Sequence, residues 1–208
     1  MRWKYFCCWA LLLSANFLTA ESDDLLARIL AGSQQAQTKF NTVCGKMTET
    51  RTSPLMSKPM VLKGKFCTQG SSKFSIAYSA PHPMQLWLNG SDLTMTTDKG
   101  KTRHVDIGRD LRRVQATFNG KAPSDSLKKD FAATEQQTAS EFEVKLVPRA
   151  ERLHRRINSL DIKLDKQTFL PRMFTIVGSN GVTSVFVFDV TSMNAKLPAG
   201  TFNATEAQ

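Results

Sequence analysis

"GKFCTQGSSKFSIAYSAPHPMQLWLNG", residues 64–90, sets its large apolar side chains two apart. Phe66 leads; Phe74, Ile76 and Tyr78 follow; Leu86 and Leu88 come after a break at Pro81 and Pro83. Alternation of this kind makes consecutive strands with one apolar face. What covers that face, the chain's own helices or a molecule that is not protein, decides both the fold and the function.

Working outward, the same period of two predicts antiparallel strands over about 40–51, 60–69, 73–79, 84–89 and 92–97. The Asn89-Gly90 turn brings Leu93 and Met95 to the side of Leu86 and Leu88. Upstream, "SDDLLARILAGSQQAQTKF" offers Ser22 as a cap and spaces Leu25, Leu26, Ile29 and Leu30 for a helix from about Asp23 to Thr38. The middle carries two short helices: one spaces Leu111, Val114 and Phe118, and the other has Ser124 as its cap with Leu127 and Phe131 a turn apart. Strands resume at Glu141, alternating Phe142, Val144 and Leu146, then Leu160, Ile162 and Leu164, then Phe174 and Ile176, then Phe186, Phe188 and Val190. This order is an α+β domain, a long antiparallel meander with one helix before it and two in its middle.

The 208 residues suit one domain. Residues 1–20, "MRWKYFCCWALLLSANFLTA", have a basic start, a short apolar run and Ala20 before Glu21, the pattern of a cleaved export signal; residues 21–208 form the domain. Only Cys44 and Cys67 then remain. In an oxidising compartment they invite a disulfide, and a hairpin that pairs them leaves a six-residue connection between Thr52 and Pro59; two separate buried thiols are the alternative. The net charge of +10, reduced to +8 when Arg2 and Lys4 leave, favours an acidic partner, and export makes anionic lipid a better candidate than nucleic acid.

Motifs of catalysis are missing from the sequence. The three histidines, His82, His104 and His154, share no metal-type spacing with another ligand, and neither a phosphate-binding glycine loop nor a Gly-x-Ser-x-Gly elbow is present. A non-enzyme without cofactor is expected. "PRAERLHRR" groups Arg149, Arg152, Arg155 and Arg156, either an exposed turn or a docking patch for an anionic membrane or acidic partner.

The order of the pieces resembles the LolA-type periplasmic carriers of outer-membrane lipoproteins. The likeness rests on "SKPMVLKGKF", "FSIAYSAPHPMQLWLNGSDLTM", the stretch from "EFEVKLVPRAERLHRR" to "SVFVFDV", and "NAKLPAGTF". Pro81, Asn89 with Gly90, Leu146 with Pro148, Asp165 with Thr168 and Pro171, and Asn194 with Phe202 stand at the family's positions. The resemblance implies a strongly curved antiparallel sheet, an incomplete barrel whose apolar concave face is covered by the N-terminal and two central helices. It also implies a monomeric periplasmic carrier of a Gram-negative envelope. Such a carrier takes acylated lipoproteins or lipids from an inner-membrane releasing transporter to an outer-membrane acceptor, with transient membrane contact.

On this reading Phe40, Met47, Phe66, Phe74, Ile76, Tyr78, Leu86, Leu88, Leu93, Met95, Phe174, Ile176, Phe186 and Phe188 line an acyl-chain groove; ordinary core beneath the helices is the alternative. Gln69 and Gly70 stand where many members have a basic residue and Pro, so Gln69 is the lid residue implied, a neutral amide without charge assistance. A second reading keeps the fold and makes the chain an envelope-stress sensor or assembly protein that binds a protein or glycolipid partner through its arginines. A third is a hydrolase whose site sequence spacing hides.

Overall fold

The computed structural model describes residues 20–203 except 91, 98, 107, 119–120 and 122. Residues 1–19 of the expected export signal therefore lie outside the described residues. The chain opens with helix α1 (Ala20–Lys39) and a first meander of strands β1 (Thr42–Thr52), β2 (Met60–Gln69), β3 (Lys73–Tyr78), β4 (Met84–Asn89), β5 (Asp92–Thr97) and β6 (Thr102–Asp106). Helices α2 (Gly108–Phe118) and α3 (Ser124–Asp130) follow. A second meander comprises β7 (Phe131–Gln137), β8 (Glu141–Pro148), the short α4 (Glu151–His154), β9 (Ile157–Asp165), β10 (Pro171–Gly178) and β11 (Thr183–Met193).

Pairing of β1 with β11 fuses the two meanders into one curved, open antiparallel sheet of 11 strands, ordered β6-β5-β4-β3-β2-β1-β11-β10-β9-β8-β7. Its unpaired edges are β6 and β7, the strands that α2 and α3 connect. Residues directly opposite across a ladder share a face. One row of partners therefore runs across the concave side: Leu93, Leu88, Phe74, then Leu86 and Ile76, then Phe66, and beyond β1 Phe186, Phe174, Ile162 and Val144.

Two apolar clusters fill this face. In the first, Leu26, Ile29 and Leu30 of α1, Val114 of α2 and Leu127 of α3 pack onto Phe131, Phe142, Val144, Leu146, Leu160, Ile162 and Leu164 of the second meander. In the second, among the described residues, only Ala36 represents the helices, beside Val43, Met47, Leu62, Phe66, Ile76, Tyr78, Leu170 and Phe188. Among the described residues, the helix side chains thus seat on the β7–β10 half of the sheet, and the β2–β5 half is filled largely by its own side chains.

Several local expectations need correction. Phe131 is not the second turn of a helix but the first residue of β7: its φ of −133° is extended, it pairs with Pro148 and only 2% of it is exposed. Pairing with β8 and burial outweigh the helical spacing of Leu127 and Phe131, because strand formation depends on the partner strand more than on intrinsic preference. Ser22 lies inside α1, which begins at Ala20. Pro123 takes the cap position ahead of Ser124, with no side-chain cap bond. Strand β6 and helix α4 were not anticipated; α4 is held by Leu153, which is buried in the first cluster.

The cysteine expectation holds. Cys44 and Cys67 are directly opposed across the β1–β2 ladder, with Cα atoms 4.1 Å apart, and form a disulfide. Closing a loop of sequence separation 23 contributes roughly 3 kcal/mol through the unfolded chain.

Candidate functional site

The centre of the concave face is an aromatic row. Phe66 meets Phe188 edge-on at 5.1 Å and Phe74 at 6.5 Å, and Phe188 meets Phe174 edge-on at 5.5 Å. One strand, β1, separates Phe66 of β2 from Phe188 of β11, and the contact exists because Gly45 of β1 lies between them: a Cβ there would stand 2.8 Å from the Phe66 ring and 2.0 Å from the Asp189 carbonyl oxygen. Edge-to-face pairs at these distances are favourable beyond their area.

The expected lining residues divide into two sets. Met47, Phe66, Ile76, Tyr78 and Phe188 are buried at the centre of the second cluster. Phe40, Phe74, Leu86, Leu88, Leu93, Met95, Phe174, Ile176 and Phe186 are only half-buried. Of these, Ile176 and Phe174 also pack on the helix-covered cluster. Phe74, Leu86, Leu88, Leu93 and Met95 form a continuous stripe across β3, β4 and β5.

At the opposite end of β1, the same face holds a carboxylate. Glu49 is 1% exposed, lies opposite Leu62 and Phe186, and accepts hydrogen bonds from the Tyr78 hydroxyl at 2.8 Å and from Arg51 Nη2 at 2.6 Å and Nε at 3.1 Å. Tyr78 reaches it across Gly64, its partner on β2. Burial and the bond to Glu49 push the Tyr78 phenol well above its ordinary pKa, so the hydroxyl remains a donor throughout the accessible pH range. Sequence reading passed over Glu49 and Arg51. The signal available was that they continue the two-residue period of Met47.

The loop between β9 and β10 joins the two clusters. Phe169, at φ 56°, stacks on Phe142 at 5.1 Å and packs in both clusters, and Leu170 is buried in the second. Helix α1 admits this ring at Gly32, where a Cβ would lie 2.2 Å from it. Asp165 builds the loop. Its Oδ1 accepts from the Thr168 amide at 2.8 Å, the Thr168 hydroxyl at 2.9 Å and the Gln167 amide at 3.0 Å, and its Oδ2 from Arg172.

Burial raises the Asp165 pKa, but those hydrogen bonds outweigh it and hold the carboxyl below its usual value of 3.8. A depressed folded pKa contributes stability that is complete above the unfolded value and lost as pH falls through the folded one. Asp165→Asn should therefore cost about 1.5–3 kcal/mol at neutral pH. Urea melts across pH should show the gap from wild type closing below about pH 4; a constant gap would assign the cost to packing rather than charge.

Gln69 ends β2 beside the C-terminal segment. With Asn41, Lys73, Lys196 and Phe202 it lines a cavity of about 380 Å³. That segment is tied down by the residues of the final motif. Asn194, at φ 56°, accepts from the Asn41 amide at 2.8 Å and donates to the Lys39 carbonyl at 3.2 Å. Asn89 donates to the Phe202 carbonyl at 2.8 Å. Arg149, Arg152, Arg155 and Arg156 are exposed around α4; Arg152 pairs with Asp130 at 3.4 Å and Arg155 with Glu151 at 3.6 Å. Among the described residues no group of His, Cys, Asp or Glu could hold a metal ion, and no helix is long and apolar enough to cross a membrane.

Comparison with known proteins completes the description. The family described as outer membrane lipoprotein carrier protein LolA matches residues 38–205. No curated protein matches the sequence. Among solved structures, a LolA superfamily protein from Nitrosomonas europaea is similar at 10% identity and TM-score 0.44, over 86% of this chain and 97% of that one. A chain of the Pseudomonas aeruginosa MucA/MucB complex is similar at 13% and 0.47, over 88% and 61%. The Mycobacterium tuberculosis lipoprotein LppX is similar at 10% and 0.42, over 85% and 99%.

Proposed function

We propose, from the premise that this chain belongs to the LolA family of outer membrane lipoprotein carrier proteins, that it is an exported, periplasmic carrier of acyl chains. It holds the lipid moiety of lipoproteins, or a related lipid, on the concave face, and works without cofactor or catalysis. It takes its cargo from an inner-membrane releasing transporter and gives it to an outer-membrane acceptor, acting as a monomer. The observation that supports this reading is the unequal coverage of the sheet: helices seat on the β7–β10 half, while Phe74, Leu86, Leu88, Leu93 and Met95 stay half-buried on the other.

The energetics explain why such a face is needed. An acyl chain of about sixteen carbons loses on the order of 10 kcal/mol on entering water, at about 0.8 kcal/mol per methylene. A multiply acylated protein therefore crosses an aqueous compartment only if another apolar surface covers its chains. Half-buried side chains suit that task because ligand contact removes area from water without first displacing a packed core. Met95 adds a thioether that adapts to different chain shapes.

The test is transfer. Purified protein incubated with inner-membrane vesicles that carry an acylated lipoprotein should bring that lipoprotein into the soluble fraction, and mass spectrometry should find acyl lipid on protein isolated from its own host. If neither the lipoprotein nor any lipid accompanies the protein, the carrier reading falls.

A further inference from the structure

We infer that one rim of the sheet, built from the β1–β2 connection, the β10–β11 turn and α4, docks on an anionic lipid bilayer, with Leu55 entering the interface and the arginines of α4 on the headgroups. Leu55 is 96% exposed, while no other large apolar side chain among those described as exposed passes 50%. It projects between Pro54 and Met56 in the loop that joins β1 to β2, with Lys58 exposed beside it.

Contacts between loops place the arginines on the same rim. Ser179, in the β10–β11 turn, donates from its hydroxyl to the Arg155 carbonyl at 2.7 Å and from its amide to the Arg156 carbonyl at 3.2 Å. Two residues on, Gly181 lies against Pro54, where an added Cβ would stand 2.9 Å from the Pro54 ring. Thus α4, the turn and the Leu55 loop are contiguous, although about a hundred residues separate Leu55 from Arg155 in the chain. The acids here are Glu151, which is solvated and spans 3.6 Å to Arg155, and Asp130, which faces Arg152; the balance of the exposed side chains Arg149, Arg155, Arg156 and Lys58 is positive.

The occupant follows from this chemistry. A lone leucine at a loop tip, flanked by cations and without a surrounding apolar collar, matches an interface where one side chain enters the acyl boundary while basic groups meet phosphates. The rim lies at the end of the strands where β1 finishes and where Glu49, Tyr78 and the half-buried Met84 face the concave side. A bilayer touching this rim therefore lies next to one end of that face. The inference does not depend on the carrier reading, because bilayer binding is measured without cargo.

The experiment is flotation of the purified protein with phosphatidylglycerol–phosphatidylcholine vesicles and with phosphatidylcholine vesicles alone. Wild type should float with the anionic vesicles only, and added salt should release it. Leu55→Ser should lower partitioning on the order of tenfold, and Arg155→Ala with Arg156→Ala by roughly twenty-fivefold, about fivefold per charge. A polarity-sensitive fluorophore on Leu55→Cys should shift to the blue on anionic vesicles. All these sites are exposed, so thermal melts should match wild type and binding of a fluorescent fatty acid should be retained. Failure of wild type to float, equal partitioning of Leu55→Ser, or a fluorophore that stays in water overturns the inference, and so does retention by an acidic protein partner with no vesicle binding.

Discussion

Replacing Ile76 with Asn is expected to destabilise the protein by about 3–5 kcal/mol, whereas Leu88→Asn should cost less than about 1.5 kcal/mol and chiefly weaken acyl-chain binding. Both residues lie on the same face of adjoining strands, and by sequence alone they are equivalent. Ile76 is 5% exposed, lies opposite Phe66 and Leu86, and belongs to the central cluster with Met47 and Tyr78. An amide there would have neither water nor a partner. Leu88 is half-buried between Phe74 and Leu93, so its amide replacement keeps contact with solvent. Urea denaturation and titration with a fluorescent fatty acid separate the two effects. If Leu88→Asn unfolds the domain as Ile76→Asn does, the β3–β5 stripe is core and not a ligand surface; if it folds and binds the probe unchanged, the ligand lies elsewhere.

The second large effect concerns the buried carboxylate, and its sign depends on which partner is removed. Arg51→Met leaves the buried Glu49 carboxyl without its cation, keeping the bond from the Tyr78 hydroxyl. Breaking a buried pair in this way costs several kcal/mol; because the Arg51 side chain is 42% exposed, a discounted figure of roughly 2–4 kcal/mol applies. Glu49→Gln should cost only about 1–2 kcal/mol, since an amide oxygen still accepts from Tyr78 and Arg51 still reaches water. The combined Arg51→Met, Glu49→Leu protein should be more stable than Arg51→Met alone, which a double-mutant cycle in urea would measure. Equal costs for the two single replacements would show that Glu49 serves as packing volume rather than as a charge.

Asp165 shows how a family pattern becomes physical. In the sequence, Asp165, Thr168 and Pro171 are a spacing. In the structure the carboxylate closes the β9–β10 loop through the Gln167 and Thr168 amides, and the loop delivers Phe169 to Phe142 and to α1. Asn194 and Phe202 likewise prove to be the clamp and the anchor of the C-terminal segment. The fold was legible because a period of two repeated over nearly every strand, and a strand that must bury one face has few alternatives.

The sequence by itself determined the strands of both meanders other than β6 and β7, an apolar face along each, a hairpin able to oppose Cys44 and Cys67, and the α+β architecture, since each follows from alternation or from turn spacing between neighbours in the chain. Only the tertiary structure decided that Phe131 begins a strand, that Glu49 is buried, that the described helix side chains pack on one half of the concave face, and that the β10–β11 turn touches both Pro54 and the α4 segment. These depend on pairings such as β1 with β11 and β7 with β8, and on Gly32 and Gly45 yielding space to Phe169 and Phe66. Local periodicity fixes which way a side chain points; what stands opposite it is set by contacts distant in the chain.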